Sequence, residues 1–307
     1  MVHILWISED TSRLITKNFV YLEQELEKFV TLSRFRKSGH IDSILKQIPQ
    51  RPDFILLLND MEQKIYPLIK GLQTTDIPVG LFINDIHRFT KRRENDIQKF
   101  QIPYLFTVVR DPFLKMYPNF QHKMEWFPHF IHPEIYKDYE LKKDIPMLLM
   151  GAVNDVYPLR KKIRDYYDGD SRFIYHAHPG YRAFSQAEEK HLIMGTNYAQ
   201  ELNRAKIFFT SPSVFHYPVL KYFEALACKT LLLAPTFKEL EDLGFIPDYH
   251  FIAINEHNFA KKAAYYLENE SERNKITEQG YQFVHQTHTV QIRTKQLVQR
   301  IKHILRQ

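Results

Sequence analysis

One cysteine, nine glycines and two tryptophans stand among 307 residues. The lone thiol, Cys228, has no intrachain partner, so no disulfide framework braces this chain and a reducing, cytoplasmic setting is expected. No apolar run nears the ~18 residues that cross a bilayer. The opening MVHILWISED has neither the basic region nor the apolar core of a secretory leader. A soluble protein, or at most one peripheral to a membrane, is the expectation. The sparse glycines exclude more. None of G-x-G-x-x-G, G-x-x-x-x-G-K-[ST] or G-x-S-x-G occurs, which removes the main support for dinucleotide oxidoreductases, P-loop NTPases and α/β-hydrolases.

What is present is ordinary in bulk and patterned in detail. Hydrophobic residues make up 44% and charged residues 25%, without repeats or low-complexity tracts, so the length suits two globular domains with separate cores. The 18 Tyr and 23 Phe supply core area and stacking surfaces alike. A net charge of +6 permits attraction to anionic lipid, nucleic acid or phosphorylated ligands without choosing among them.

Apolar runs at 2–8, 29–35, 53–60, 77–85 and 104–109 alternate with amphipathic stretches such as ITKNFVYLEQEL and HIDSILKQI. Continuous apolar runs fit strands covered on both faces, and strand-helix alternation predicts parallel sheets. A polar segment at 137–146 reads as a hinge. A second set of runs follows at 147–153, 172–178, 206–212, 230–235 and 250–255. The expected fold is α/β, two tandem Rossmann-like domains with a cleft between them: residues 1–140, residues 141–290, and a C-terminal helix at 291–307. That helix places Ile292, Leu297, Ile301 and Leu305 near helical spacing with basic residues opposite.

In parallel sheets ligands bind beyond the carboxyl ends of the strands, which singles out the loops there. MGAVNDVYPLRKK offers a turn around Asn154 and Arg160 near a helix start, either an anion site or an ordinary turn with a surface arginine. In YHAHPGY, His178 and Tyr181 either contact a base or sugar or belong to a simple turn. Alternating histidines without a carboxylate or cysteine cluster do not predict a metal. In HYPVLKYFEALAC, Pro218 is expected near the first helical position. Lys221 and Glu224 then share a face, as a surface ion pair or as ligand contacts. The D-x-D triplet at 168–170 is read as a turn at the amino end of a strand. Asp85 and His87 follow the fourth run of the first half. They suit proton transfer, or Asp85 caps the basic helix HRFTKRRENDIQKF. That helix motivates a nucleic-acid reading, but no base-reading motif accompanies it, so nucleic acid is not an expected partner.

The order GTNYAQELNRAKIFFTSP, KYFEALACKTLLLAP and YYLENESERNKITEQGYQFVHQTHTVQIRTKQLV resembles the nucleotide-sugar domain of GT-B glycosyltransferases, in particular the CgeB-like, glycosyl transferase group 1 branch. The resemblance covers roughly the last 150 residues. It implies that Glu224 binds the donor ribose and that the backbone at Tyr217, Pro218, Val219 and Leu220 holds the diphosphate. Arg160 would help neutralise it. Related retaining families carry a second Glu eight residues before the ribose-binding one, where this chain has His216. A glycine common after EALAC is replaced by Lys229. The implied activity is metal-independent transfer of a sugar from a nucleoside-diphosphate donor, with UDP the expected nucleotide and no further cofactor, to a glycan, lipid-linked, protein or small-molecule acceptor. Catalytic candidates are His87, Asp85 and His216. A non-catalytic nucleotide-sugar-binding or assembly protein and a nucleic-acid-modifying glycosyltransferase are the alternatives.

Overall fold

The computed structural model describes residues 1–58 and 67–307. The chain divides into two compact units, one of residues 1–12, 16–128 and 291–307, the other of residues 13–15 and 129–290. Each is a Rossmann-like α/β unit built on a parallel sheet.

The first unit contains β1 (His3–Ile7), α1 (Asn18–Leu26), β2 (Thr31–Phe35), β3 (Gly39–His40), α2 (Ile41–Leu45), β4 (Phe54–Leu58) and β5 (Ile69–Lys70). β6 (Val79–Ile83), α3 (Thr90–Lys99), β7 (Tyr104–Thr107), α4 (Asp111–Met116) and β8 (Met124–Trp126) follow. The main sheet runs β2-β1-β4-β6-β7-β8, all parallel, and β3 pairs with β5 separately. Every residue of β1, β4 and β6 is buried, as two-faced coverage of a parallel sheet requires. β2 departs from the expectation: it is an edge strand, and its residues are partly to fully exposed. The end of the run at 53–60, Asn59 and Asp60, lies outside the described residues. Trp6, Phe19, Phe82, Phe106 and Phe127 form a chain of ring contacts with centroids 5.1–6.4 Å apart over the sheet.

The second unit has β9 (Ile145–Met150), α5 (Pro158–Tyr166), β10 (Phe173–His176), α6 (Gln186–Glu189), α7 (Gly195–Arg204), β11 (Ala205–Phe209) and α8 (Lys221–Ala227). It continues through β12 (Leu231–Ala234), α9 (Lys238–Asp242), β13 (Ile252–Ala253), α10 (Phe259–Glu268) and α11 (Glu270–Thr287). The order β10-β9-β11-β12-β13 is parallel throughout. The chain leaves β9 for one side of the sheet and returns on the other, so a topological switch point falls between β9 and β11. One face of the sheet buries Leu148, Phe208, Phe223, Leu226 and Leu232; the other buries Leu149, Ile163, Phe209 and Leu233. Residues 137–146 are stitched into this unit. Tyr139 N donates to Asn203 Oδ1 at 2.7 Å, and Lys143 Nζ donates to the carbonyls of Asn203 and Ala205.

The last helix, α12 (Val290–Ile304), has nearly all its residues in the first unit. There Arg300 donates to both carboxylate oxygens of Glu125. Leu297 and Ile301 are buried as expected. Arg293, expected on the basic face, is buried instead and donates through Nε to Pro128 O at 3.1 Å. The 168–170 triplet is a turn, with Gly169 at φ +79 and both Asp170 carboxylate oxygens engaged by Arg172.

Candidate functional site

At the switch point of the second unit, the strand ends give way to three loops. β9 ends at Gly151, whose φ of +117 is open only to glycine. A β-carbon there would stand 2.8 Å from Lys221 Cε, 3.4 Å from Lys221 Nζ and 3.6 Å from Arg160 Nη1. The missing side chain lets two cations from different helices lie against the strand end. After β11, the buried residues Thr210, Ser211 and Ser213 line the neighbouring loop. That loop is clipped to the first, because Val214 N donates to Val156 O at 2.9 Å.

Arg160, in the first turn of α5, is buried rather than on the surface. Its Nη2 donates to Ser211 O at 2.7 Å and its guanidinium sits 3.8 Å from the centre of the Tyr157 ring. Burial draws its pKa down from the ordinary arginine value. Lys221 opens α8, with Nζ 5.3 Å from the Tyr198 ring centre. Burial and, more weakly, Arg160 lower its ammonium to about 8 against the opposing pull of Glu224. Among the described residues neither cation forms an ion pair.

His178 follows β10 and joins this cluster. Its Nδ1 accepts from Gly180 N at 2.9 Å, and the exposed Tyr181 ring lies 4.4 Å away. Burial, then Lys221, then Arg160 depress its pKa to about 4, so the ring is neutral at pH 7. Its neighbour His176 is committed elsewhere, to Glu201 at 2.8 Å.

Glu224 is buried, not the solvated half of a surface ion pair. Burial raises its pKa, while Lys221 and the hydroxyls of Tyr136 and Tyr198 oppose that rise. Neither tyrosine was singled out from sequence. Tyr198 lies on α7 and Tyr136 in the loop before β9, and only the fold brings both beside Glu224. α8 also begins later than expected, at Lys221 instead of near Pro218. Residues 217–219 have no regular secondary structure, and the first turn of α8 is closed by bonds from Tyr222 N to Val219 O and from Glu224 N to Leu220 O. Among the described residues, the N–H groups of Val219, Leu220 and Lys221 donate to no backbone carbonyl.

His216 is exposed, at φ +52, with its N–H bonded to Ser213 O. Tyr217 stacks with Phe215, with rings 9° from parallel. Asn154 is exposed and shapes the first loop: its side-chain oxygen accepts from Val156 N and its carbonyl from Tyr157 N.

In the first unit, Asp85 and His87 lie in the turn after β6. Asp85 does not cap α3, whose N-cap is Phe89 in the left-handed region. The turn is held by Arg93, a residue of the basic helix that is fully buried. Arg93 donates to the carbonyls of Asp85, Ile86 and Arg88 and to the Tyr117 hydroxyl at 2.6 Å, and that hydroxyl donates to Ile86 O. Burial lowers the pKa of His87, with Asp85 opposing and Arg88 and Arg93 adding to the drop. Among the described residues no group of three or more His, Cys, Asp or Glu side chains is placed to hold a metal ion, and no helix is long and apolar enough to cross a membrane.

A buried carboxylate beside unpaired cations at the switch point of a Rossmann-like sheet is an arrangement suited to an anionic ligand carrying hydroxyl groups. Residues 155–299, which supply most of that arrangement, match the family model described as glycosyl transferase-like. This stretch is similar to glycosyl transferase-like domains. Solved structures share the fold over the whole chain. HepE from Anabaena in complex with UDP aligns with a TM-score of 0.66 at 10% identity, covering 98% of this chain and 99% of its own. Sucrose-phosphate synthase from Thermosynechococcus elongatus aligns at 0.65 and 11% identity, covering 99% of each chain. A glycosyltransferase from Rickettsia africae aligns at 0.61 and 10%, covering 99% and 98%. At such identities the likeness is one of fold, GT-B. A comparison with curated proteins finds no match. Within the matched stretch, Arg160, His178, Lys221 and Glu224 converge, whereas His176 serves local structure, as does Asn154 just before it.

Proposed function

We propose that this protein is a glycosyltransferase that binds a nucleoside-diphosphate sugar at the switch point of its second unit. The observation that carries this reading is the meeting of Arg160 and Lys221, unpaired and desolvated, around the side-chain-free Gly151. Two desolvated cations without a carboxylate partner are costly alone and are offset by a bound anion. The diphosphate fits there, with the N–H groups of Val219, Leu220 and Lys221 as further donors. Glu224 then accepts from the ribose hydroxyls, with Tyr136 and Tyr198 beside it. UDP is the nucleotide proposed, in keeping with HepE, whose structures hold UDP and UDP-glucose.

As the sugar-phosphate bond breaks, negative charge grows on the leaving diphosphate. Arg160, Lys221 and the loop amides meet that charge in place of a metal ion, which makes the reaction metal-independent. His87, neutral at pH 7 because burial lowers its pKa, is the base for an acceptor hydroxyl if the configuration inverts, and Asp85 orients it. His216 stands in the loop beside the diphosphate turn and contacts the donor sugar. The protein acts in the cytoplasm on a glycan or other hydroxyl acceptor.

A non-catalytic nucleotide-sugar binder is the second reading, favoured by the exposed imidazole of His216 where a retaining enzyme carries a glutamate. Incubation with UDP-glucose, UDP-N-acetylglucosamine, GDP-mannose and ADP-glucose, followed by detection of released nucleotide, separates the two. Release from one donor that His87→Ala suppresses supports catalysis. Binding of donor with no release in the presence of a broad acceptor mixture favours the binder.

A further inference from the structure

In the first unit, α3 and the turn before it present one kind of surface to solvent. The exposed side chains from Arg88 to Lys99 are the cations Arg88, Lys91, Arg92 and Lys99, two neutral amides and the ring of Phe89; no acid is among them. At about 3.6 residues per turn, the exposed positions of α3 share one side of the helix, opposite the buried Arg93 and Ile97. The half-buried acids Glu94 and Asp96 fall at the two margins of that side, and Arg92 leans on Asp96 at 3.9 Å. Among the described residues Lys91 and Lys99 form no ion pair.

Two features separate this surface from an ordinary solvated helix face. The first is where the cations stand. The first turn of α3 carries Lys91, Arg92 and Arg93 and no acid, and Phe89 at the N-cap supplies no side-chain acceptor to the open N–H groups. That end is the positive pole of the helix dipole, so it repels these cations and gains from an anion outside the protein. The second is Phe89 itself. It is 44% exposed and stands at φ +54, a region that a phenylalanine enters only under constraint. The constraint comes from beneath, because Arg93 N donates to Phe89 O at 2.9 Å and Arg93 Nη1 donates to Arg88 O at 2.9 Å. The ring is thus held outward, with the Arg88 guanidinium 5.1 Å from its centre.

A partner that offsets both costs is anionic, extended and able to take in an apolar ring. A bilayer surface with anionic headgroups has all three properties. Single-stranded nucleic acid has the charge, but it is held by a succession of stacking rings, and the exposed residues here offer one. We propose that α3 and the turn before it dock this protein on an anionic membrane surface. Phe89 enters the headgroup layer, and Arg88, Lys91 and Arg92 meet lipid phosphates. This docking requires no donor and stands apart from the glycosyltransferase reading. On that reading it also brings the turn carrying His87 to the lipid surface, where a lipid-linked acceptor is found.

The test is flotation of the full chain with vesicles of phosphatidylcholine alone or mixed equally with phosphatidylglycerol. Binding is expected to the mixed vesicles only, and it should weaken as salt rises. The double variant Lys91→Gln/Arg92→Gln should lower the partition about tenfold or more. Phe89→Gly should lower it about fivefold, through loss of the inserted ring. Both variants should melt close to the wild type, since one removes cations from the positive end of a helix and the other places glycine where the backbone is left-handed. The proposal is overturned if the mixed vesicles do not bind, or bind no better than phosphatidylcholine. It is equally overturned if both variants float as the wild type does, or if the chain binds polyuridine and not the mixed vesicles.

Discussion

Lys221 lies against Gly151 so closely that a single added methyl group at Gly151 would stand 2.8 Å from Lys221 Cε. Helix α8 and strand β9 thereby share one decision. The strand must end in a conformation reserved for glycine so that a cation from a distant part of the chain can occupy the space above it.

Gly151→Ala is expected to act in two ways. The strained backbone costs about 1–3 kcal/mol of stability, and the displaced Lys221 weakens UDP binding by about tenfold or more. Thermal melting and a UDP titration measure the two effects separately. A variant that melts normally and binds UDP normally would show that the close approach has no bearing on the ligand.

Glu224 poses a different question, because it is buried beside two tyrosines and a lysine. Glu224→Gln keeps the shape and removes the charge. A charge-assisted hydrogen bond contributes about 1.5–3 kcal/mol, so UDP should bind roughly tenfold to a hundredfold more weakly. UDP contains the ribose hydroxyls and uracil does not, so uracil affinity should not respond to this change. Equal loss for both ligands would place Glu224 in the scaffold and not at the ribose.

His178 gives the pH dependence. Its folded-state pKa is about 4 against an ordinary 6.5, with burial, Lys221 and Arg160 all opposing protonation. As pH falls from 6.5 toward 4 the unfolded chain takes up this proton first, so the ligand-free protein loses stability across that window. A bound diphosphate reverses the local field and raises the pKa. UDP binding at pH 5.5 should therefore be accompanied by proton uptake, read from binding heats in buffers of different ionisation enthalpy. The uptake should exceed that of His178→Asn, and equal uptake in both proteins contradicts the role given to this ring.

Arg93 anchors the turn that carries Asp85 and His87. Arg93→Met strands the carbonyls it serves and the Tyr117 hydroxyl, at a cost of about 2–4 kcal/mol. Arg93→Lys keeps the charge without the planar fork and should fall between. Denaturant unfolding followed at Trp6, in the sheet of that unit, measures the loss. If turnover falls further than stability accounts for, with donor affinity unchanged, the turn serves the acceptor side.

Much of this was legible in the sequence for a physical reason. Strands such as FILLL and VGLFI are covered on both faces, and continuous apolar runs admit little else. Arg160 and Glu224 were legible as positions but not as environments. Spacing puts Glu224 beside Lys221, but whether that side of α8 meets water or protein depends on Tyr136 and Tyr198, which arrive from distant segments. Pro218 suggested an early helix start because its fixed φ suits a first turn; the loop tied to Val156 delays the helix by three residues instead. Arg93 was concealed among the charges of TKRRENDIQK. No periodicity distinguishes the one guanidinium that turns inward to satisfy carbonyls of the preceding turn.

The central claim is that a nucleoside diphosphate is held by Arg160 and Lys221 at the switch point of the second unit. Calorimetric titration of UDP into the wild type, Lys221→Met and Arg160→Met tests it most directly, with melting temperature as the check on folding. UDP is expected to bind the wild type and to lose about tenfold or more in each folded variant. Undiminished UDP affinity in both folded variants, or no UDP binding by the wild type, would contradict it.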